Sequence, residues 1–156
     1  MKTPISQLSD YDKINDILKQ RTDAVKSQDI EKAVSAYSDD LLMFDVVGEL
    51  SERGAQAARE RLKTWFSTMQ RLKDFEVRII DITVNNAIAY CNTFNHIDAV
   101  TIDGKELNMW WRETIGLKKP DDNWLIFSTH SSVPFDAQSG KASTTLTPSD
   151  SLKIDK

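Results

Sequence analysis

The stretch QDIEKAVSAYSDDLLMFDVVG, residues 28–48, decides how the rest of the chain is read. Asp29 can accept from the free N–H groups of a helix start. Behind it, Ile30, Ala33, Val34 and Tyr37 fall on one side of a short helix. Asp39 and Asp40 read as a turn, and LLMFDVV reads as a strand closed by Gly48. Side chains alternate along a strand, so Met43, Asp45 and Val47 share one face, with Leu42, Phe44 and Val46 on the other. Both faces are otherwise apolar. An unpaired carboxylate is costly to bury, so Asp45 requires either a partner or a water-filled cavity.

Upstream, Ser9 and Asp12 have the spacing of a capping box. Tyr11, Ile14, Ile17, Leu18 and Val25 then follow helical spacing to about Lys26. Downstream, Gly54 precedes a third helix with the stripe Ala58, Leu62, Trp65, Phe66 and Met69. After it the period changes. FEVRIIDITV (75–84), AIAYCNTFNHIDAVTI (87–102), ELNMWWRETIGLK (106–118) and NWLIFSTHSSV (123–133) are long and β-rich. Asn85-Asn86 and Asp103-Gly104 suit hairpin turns, and Pro120 to Asn123 a looser one. Helices followed by an antiparallel meander predict an α+β fold. Three N-terminal helices cover the concave face of a cone-shaped, mostly antiparallel sheet, which leaves room for a pocket. One domain is expected over residues 1–137. The Ser/Thr-rich stretch 138–156 reads as a mobile tail, because it has little to bury.

Composition narrows the function classes. The chain has 156 residues, 40% of them hydrophobic and 28% charged, with a formal net charge of −4. An acidic balance argues against nucleic acid as the main partner. No apolar run approaches the roughly 20 residues that span a bilayer, and no membrane partner is expected. The N-terminus has no apolar signal region. Cys91 is the one cysteine, so no internal disulfide can form and a cytoplasmic location is the default expectation. Two histidines and one cysteine make no zinc motif, and no metal or cofactor is implied.

Two segments carry a resemblance. Residues 28–48 resemble the helix–turn–strand signature of the nuclear transport factor 2-like superfamily, which includes ketosteroid isomerases and SnoaL-like polyketide cyclases. WWRETIGLKKPDDNWLIFSTHSSVPFD (110–136) resembles the closing hairpin of SnoaL-like proteins. The resemblance spans roughly residues 9–137 and implies the cone fold, a small-molecule pocket and a homodimer. It places Asp45 where ketosteroid isomerases have their general base. Two departures follow: Arg21 stands where that family has an oxyanion-hole tyrosine, and the strand that should bring a protonated aspartate reads Trp111-Arg112-Glu113-Thr114. Classical ketosteroid isomerisation is therefore not expected.

The candidate site follows from the residues. Asp45 and His130 are the expected proton-transfer pair, since an Asp beside a His covers a useful pKa range. Arg21, on the inner stripe of the first helix, and Arg112, beside Trp110, are the candidate partners of Asp45, with Arg112 favoured. Either would hold its charge and lower its pKa. His130 shares a strand face with Ser128 and Ser132, which suggests a wet cavity wall. Tyr90 and Asn92 line the same wall in this reading, together with Trp110. Trp65, Phe66 and Met69 read as core, and Cys91 as a buried small side chain. Two functions remain open: an isomerase-, dehydratase- or cyclase-type enzyme, or a non-catalytic ligand-binding or dimeric association domain. Closure of the pocket separates them, because a salt-bridged Asp45 that fills the space favours binding or structure.

Overall fold

The computed structural model describes residues 8–149. Helix α1 runs Asp10–Lys26, α2 Ile30–Val34 and α3 Gly54–Ser67. The strands are β1 Tyr37–Phe44, β2 Glu52–Arg53, β3 Met69–Asn85, β4 Ile88–Thr101, β5 Glu106–Lys118 and β6 Leu125–Ser132. They form one six-stranded sheet in the order β2-β1-β6-β5-β4-β3. β1 pairs in parallel with β6, and every other pairing is antiparallel. Three helices packed on a curved, mostly antiparallel sheet agree with the expected α+β architecture.

The helix starts follow the sequence signals. The Ser9 hydroxyl accepts from the Asp12 N–H, and the Asp12 carboxylate accepts in return from the Ser9 N–H. Asp29 caps α2 through the Lys32 N–H at 3.1 Å. Three boundaries differ from the sequence reading. Tyr37 opens β1 rather than closing α2, and Asp39 and Asp40 lie within the strand, not in a turn. β1 ends at Phe44, so Asp45 is the first residue beyond it. Met69 opens β3, well before residue 75, and is buried at the strand's start. β3 is long because it bends: its register shifts at Met69/Arg71, Leu72/Asp74 and Ile79/Asp81. Such irregularities increase local twist and let one strand follow a curved face.

The core divides in two. One cluster gathers Ile14, Leu18, Leu41, Cys91, Ile115, Leu117 and Ile126 at one end of the cone. The other gathers Val25, Met69, Phe75, Ile97 and Ala99 at the opposite end, with Trp65, Phe66 and Trp111 packed against it. The inward residues of β4 are therefore the odd-numbered ones, from Ala89 to Ala99. β5 does the same with Trp111, Glu113, Ile115 and Leu117.

Past β6 the chain turns on itself. Phe135 bridges to Ala142, and the Asp136 N–H donates to the Lys141 carbonyl at 2.8 Å. Asp136 Oδ1 accepts from the Gln138 and Ser139 N–H groups. Part of the stretch read as a tail thus has defined backbone bonds; its last residues, 150–156, lie outside the described residues, as do 1–7.

Candidate functional site

A polar belt crosses the cone between the two apolar clusters. On α1 it interrupts the inner stripe at Arg21, on β4 at Thr93 and Asn95, and on β5 at Glu113. Thr93, Asn95 and Glu113 are 1%, 2% and 4% exposed, deep enough that each polar atom needs a partner. They find one another. Arg21 Nη2 donates to Glu113 Oε1 at 2.7 Å, and Nη1 to Oε2 at 3.3 Å, a bidentate pair. Asn95 Nδ2 donates to Glu113 Oε2 at 2.7 Å, and the Thr93 hydroxyl to Asn95 Oδ1 at 2.8 Å. Burial alone would pull the Arg21 guanidinium down, but the Glu113 carboxylate outweighs it and holds Arg21 above its ordinary range.

Tyr37, at the start of β1, packs beside this belt, its ring 5.7 Å from the Arg21 guanidinium carbon. Burial pushes its phenol up, against the pull of Arg21, and the Glu113 and Asp45 carboxylates add to the rise. The phenol therefore stays a neutral donor. Cys91 sits further in, fully buried, and its thiol is pushed up to about 12 by burial first and by Glu113 second. A thiol held protonated in this way is not a nucleophile.

Asp45 has a partner, and it is neither of those expected. Arg61, on α3, donates from Nε to Asp45 Oδ2 at 2.8 Å. The other oxygen, Oδ1, accepts from the Val46 N–H at 2.7 Å. The pair is partly open, with side chains 17% and 25% exposed. Arg21 is committed to Glu113, and Arg112 lies on the far side of the sheet, where it donates to the Ser132 hydroxyl at 3.2 Å. Both expected pairings of Asp45 are therefore replaced by Arg61, whose place on the inner side of α3 the helix spacing did not single out.

The sheet separates the other candidates from Asp45. β4 and β5 turn their even-numbered residues outward. Tyr90 is 46% exposed there, and Asn92 bonds to Asp81 and Thr114 across the outer surface. Trp110 stacks on His96 at 4.5 Å between ring centres, with Arg78 on its ring at the same distance. β6 carries Ser128, His130 and Ser132 on this outer face, opposite Gly116, Thr114 and Arg112. His130 is exposed, and its ring meets Phe44 edge-on at 5.3 Å. The expected wall of Tyr90, Asn92, Trp110, Arg112, Ser128, His130 and Ser132 thus exists as a surface, but outside the cone. Asp45 and His130 are not brought together.

Further along α3 the side chains are aromatic. Arg61 and Trp65 are one helical turn apart and share the inner side of α3. Trp65 meets Trp111 edge-on at 6.4 Å and Phe75 at 6.0 Å, and stacks on Phe66 at 5.6 Å. Trp65, Phe66 and Trp111 remain only partly buried. An open hollow of about 550 Å³ lies elsewhere, between α2 and α3, lined by Gln28, Ile30, Gln56, Arg59 and Lys63 among others. Among the described residues, no three His, Cys, Asp or Glu side chains converge on a point where a metal could sit. No helix among them is long and apolar enough to cross a membrane.

Three helices packed on a curved, mostly antiparallel six-stranded sheet make an NTF2-like architecture. The model of the SnoaL-like domain family matches residues 14–136, and the chain belongs to that family. No curated protein matches the chain. Among solved structures it is similar to an NTF2-like protein of unknown function from Pseudomonas putida KT2440. The TM-score is 0.74 at 21% identity, covering 90% of this chain and 99% of that one. It is also similar to a ketosteroid isomerase-like protein from Erwinia carotovora atroseptica, with a TM-score of 0.69 at 17% identity over 78% and 93% of the two chains. A third, an uncharacterized protein with a cystatin-like fold from Caulobacter vibrioides, gives 0.65 at 19% identity over 83% and 92%. Likeness at these identities shows the fold.

Proposed function

We propose that this protein binds a small organic molecule at the mouth of the cone, between the Asp45–Arg61 pair and the wall of Trp65, Phe66 and Trp111. The single observation that carries the reading is the partly open Asp45–Arg61 pair, one helical turn from the partly exposed Trp65. A few polar groups set among aromatic walls are the usual make-up of a ligand site. The binding-domain reading is favoured over the enzyme reading. An isomerase, dehydratase or cyclase would use Asp45 as its base, and here that carboxylate is held by the Arg61 guanidinium and the Val46 N–H. His130, on the other side of the sheet, is out of reach as its acid.

The four tryptophans make a test. Indole N–H signals of Trp65 and Trp111 should shift when a panel of small aromatic compounds is titrated into the ¹⁵N-labelled protein. Those of Trp110, on the outer face, and Trp124, in the core, should stay put. Shifts confined to Trp110 would move the site to the outer surface. The Asp45→Asn variant should weaken binding, and His130→Ala should leave it unchanged.

The outer face is proposed as the surface of a homodimer. It offers Ile88, Tyr90 and Trp110 as apolar contacts, and Asn92, Thr114 and Ser132 as hydrogen-bonding groups. Sedimentation at micromolar concentration should give twice the chain mass, and Tyr90→Asp should shift it toward the monomer. A monomer in the unaltered protein would remove this role from the face.

A further inference from the structure

Resting on the proposed mouth site, we infer that its ligands are aromatic or other flat organic acids, and that Arg61 is the residue that recognises their carboxylate. A guanidinium carries five N–H donors in a planar fork. Asp45 takes one of them, from Nε. The contact to Asp45 is made by Nε, and the two terminal nitrogens of Arg61 lie beyond it. The Arg61 side chain keeps some access to solvent, at 17% exposed. Those two nitrogens form the edge of the guanidinium that matches a carboxylate oxygen for oxygen.

The pairing with Asp45 explains why that edge is held in place. Long arginine side chains lose rotamer freedom when they bind, and a partner already in place removes much of that cost beforehand. Asp45 is itself fixed, because the Val46 N–H holds its second oxygen. Asp45 is thus a positioning residue, and Arg61 the one that touches ligand. The neighbouring cation does not serve as a second anion hook. Arg21 spends its own fork on Glu113, which is locked in turn by Asn95. One arginine edge is left to the ligand, so one acidic group is read. Trp65, a turn along α3 from Arg61, and Trp111, across from it, supply flat apolar surface for the body of the molecule.

The experiment compares 2-naphthoate with neutral 2-naphthamide, which share shape and ring area. Both are titrated into the full-length protein, and the indole signals of Trp65 and Trp111 are followed. The acid should bind at least about tenfold more tightly, since a charge-assisted pair is worth more than a neutral hydrogen bond. Arg61→Met should erase that preference while the amide still binds. Arg61→Lys keeps the charge without the fork and should recover less than half of it on a logarithmic scale. Equal affinities for acid and amide in the unaltered protein overturn the assignment to organic acids and leave the mouth site standing. Absence of any shift at Trp65 and Trp111 with either compound overturns the mouth site, and this inference with it. Circular dichroism of both variants checks that they fold. The acid-to-amide ratio of the unaltered protein decides the question even where a variant does not.

Discussion

Glu113→Ala should be the most damaging single substitution in the polar belt. It leaves the Arg21 guanidinium, which is only 20% exposed, without its carboxylate and strips Asn95 of its acceptor. Breaking one side of a buried pair costs about 3–5 kcal/mol, because the survivor stays charged. Set against a typical domain stability of about 5–15 kcal/mol, such a loss leaves little margin. Urea unfolding should show the midpoint falling with its slope unchanged. The double variant Arg21→Met/Glu113→Leu should recover much of the loss, since both charges leave together and apolar groups take their volume. A Glu113→Ala midpoint within the error of the unaltered protein would mean that the belt is solvated and contributes no net stability.

Trp124→Ala comes next. Trp124 is 3% exposed and packs in the cluster with Ile14, Leu117 and Ile126. Its indole N–H donates to Asp10 Oδ1 at 3.0 Å, and Lys119 Nζ holds the same carboxylate from 2.9 Å. Those two contacts, Lys119 first, keep the Asp10 carboxyl below its ordinary value. The ring thus fastens the start of α1 to the segment that links β5 and β6. Replacing a buried tryptophan with alanine costs about 3–5 kcal/mol through lost transfer energy and the cavity left behind. For a domain of this size that corresponds to a drop of roughly 6–20 °C in Tm. Trp124→Phe keeps most of the volume and gives up the bond to Asp10, so its Tm should fall by well under half as much. Equal losses from the two variants would show that the hydrogen bond, not the ring volume, carries the effect.

Much of the fold is legible in the residues because local signals and burial agree. The Ser9 and Asp29 caps, the helical stripes and the alternating strands lead to the α+β cone without help from tertiary contacts. The site is harder, and the difficulty has one physical source. Alternation tells which residues share a face; it does not by itself tell which face is inside. Along β4 and β5 the polar even-numbered residues invite reading as the wall of a wet cavity. The odd-numbered series, Ala89, Cys91, Ile97 and Ala99 with Ile115 and Leu117, is the apolar one and turns inward. Read that way, Thr93, Asn95 and Glu113 stand out as polar interruptions of a buried stripe, a signal present in the sequence. Arg61 is different. It lies one turn before Trp65 on α3, where its spacing looks like the edge of an ordinary amphipathic helix. Its role depends on where the chain emerging from β1 happens to pass, and no local pattern encodes that.

The parallel pairing of β1 with β6 has a consequence for how the molecule assembles. Tyr37 lies against Ile126, so β1 and the helices before it are joined to the sheet by contacts between residues far apart in the chain. β3, β4 and β5 pair with their immediate successors and can zip as hairpins from their turns. Closing a long loop costs entropy before any long-range contact repays it. The meander is therefore expected to form first, with the N-terminal third docking onto it later. On an elongating ribosome α1, α2 and β1 are made well before β6, the strand that β1 pairs with. Until β6 is made, Leu41 and Ile14, which end fully buried, lack the sheet that covers them.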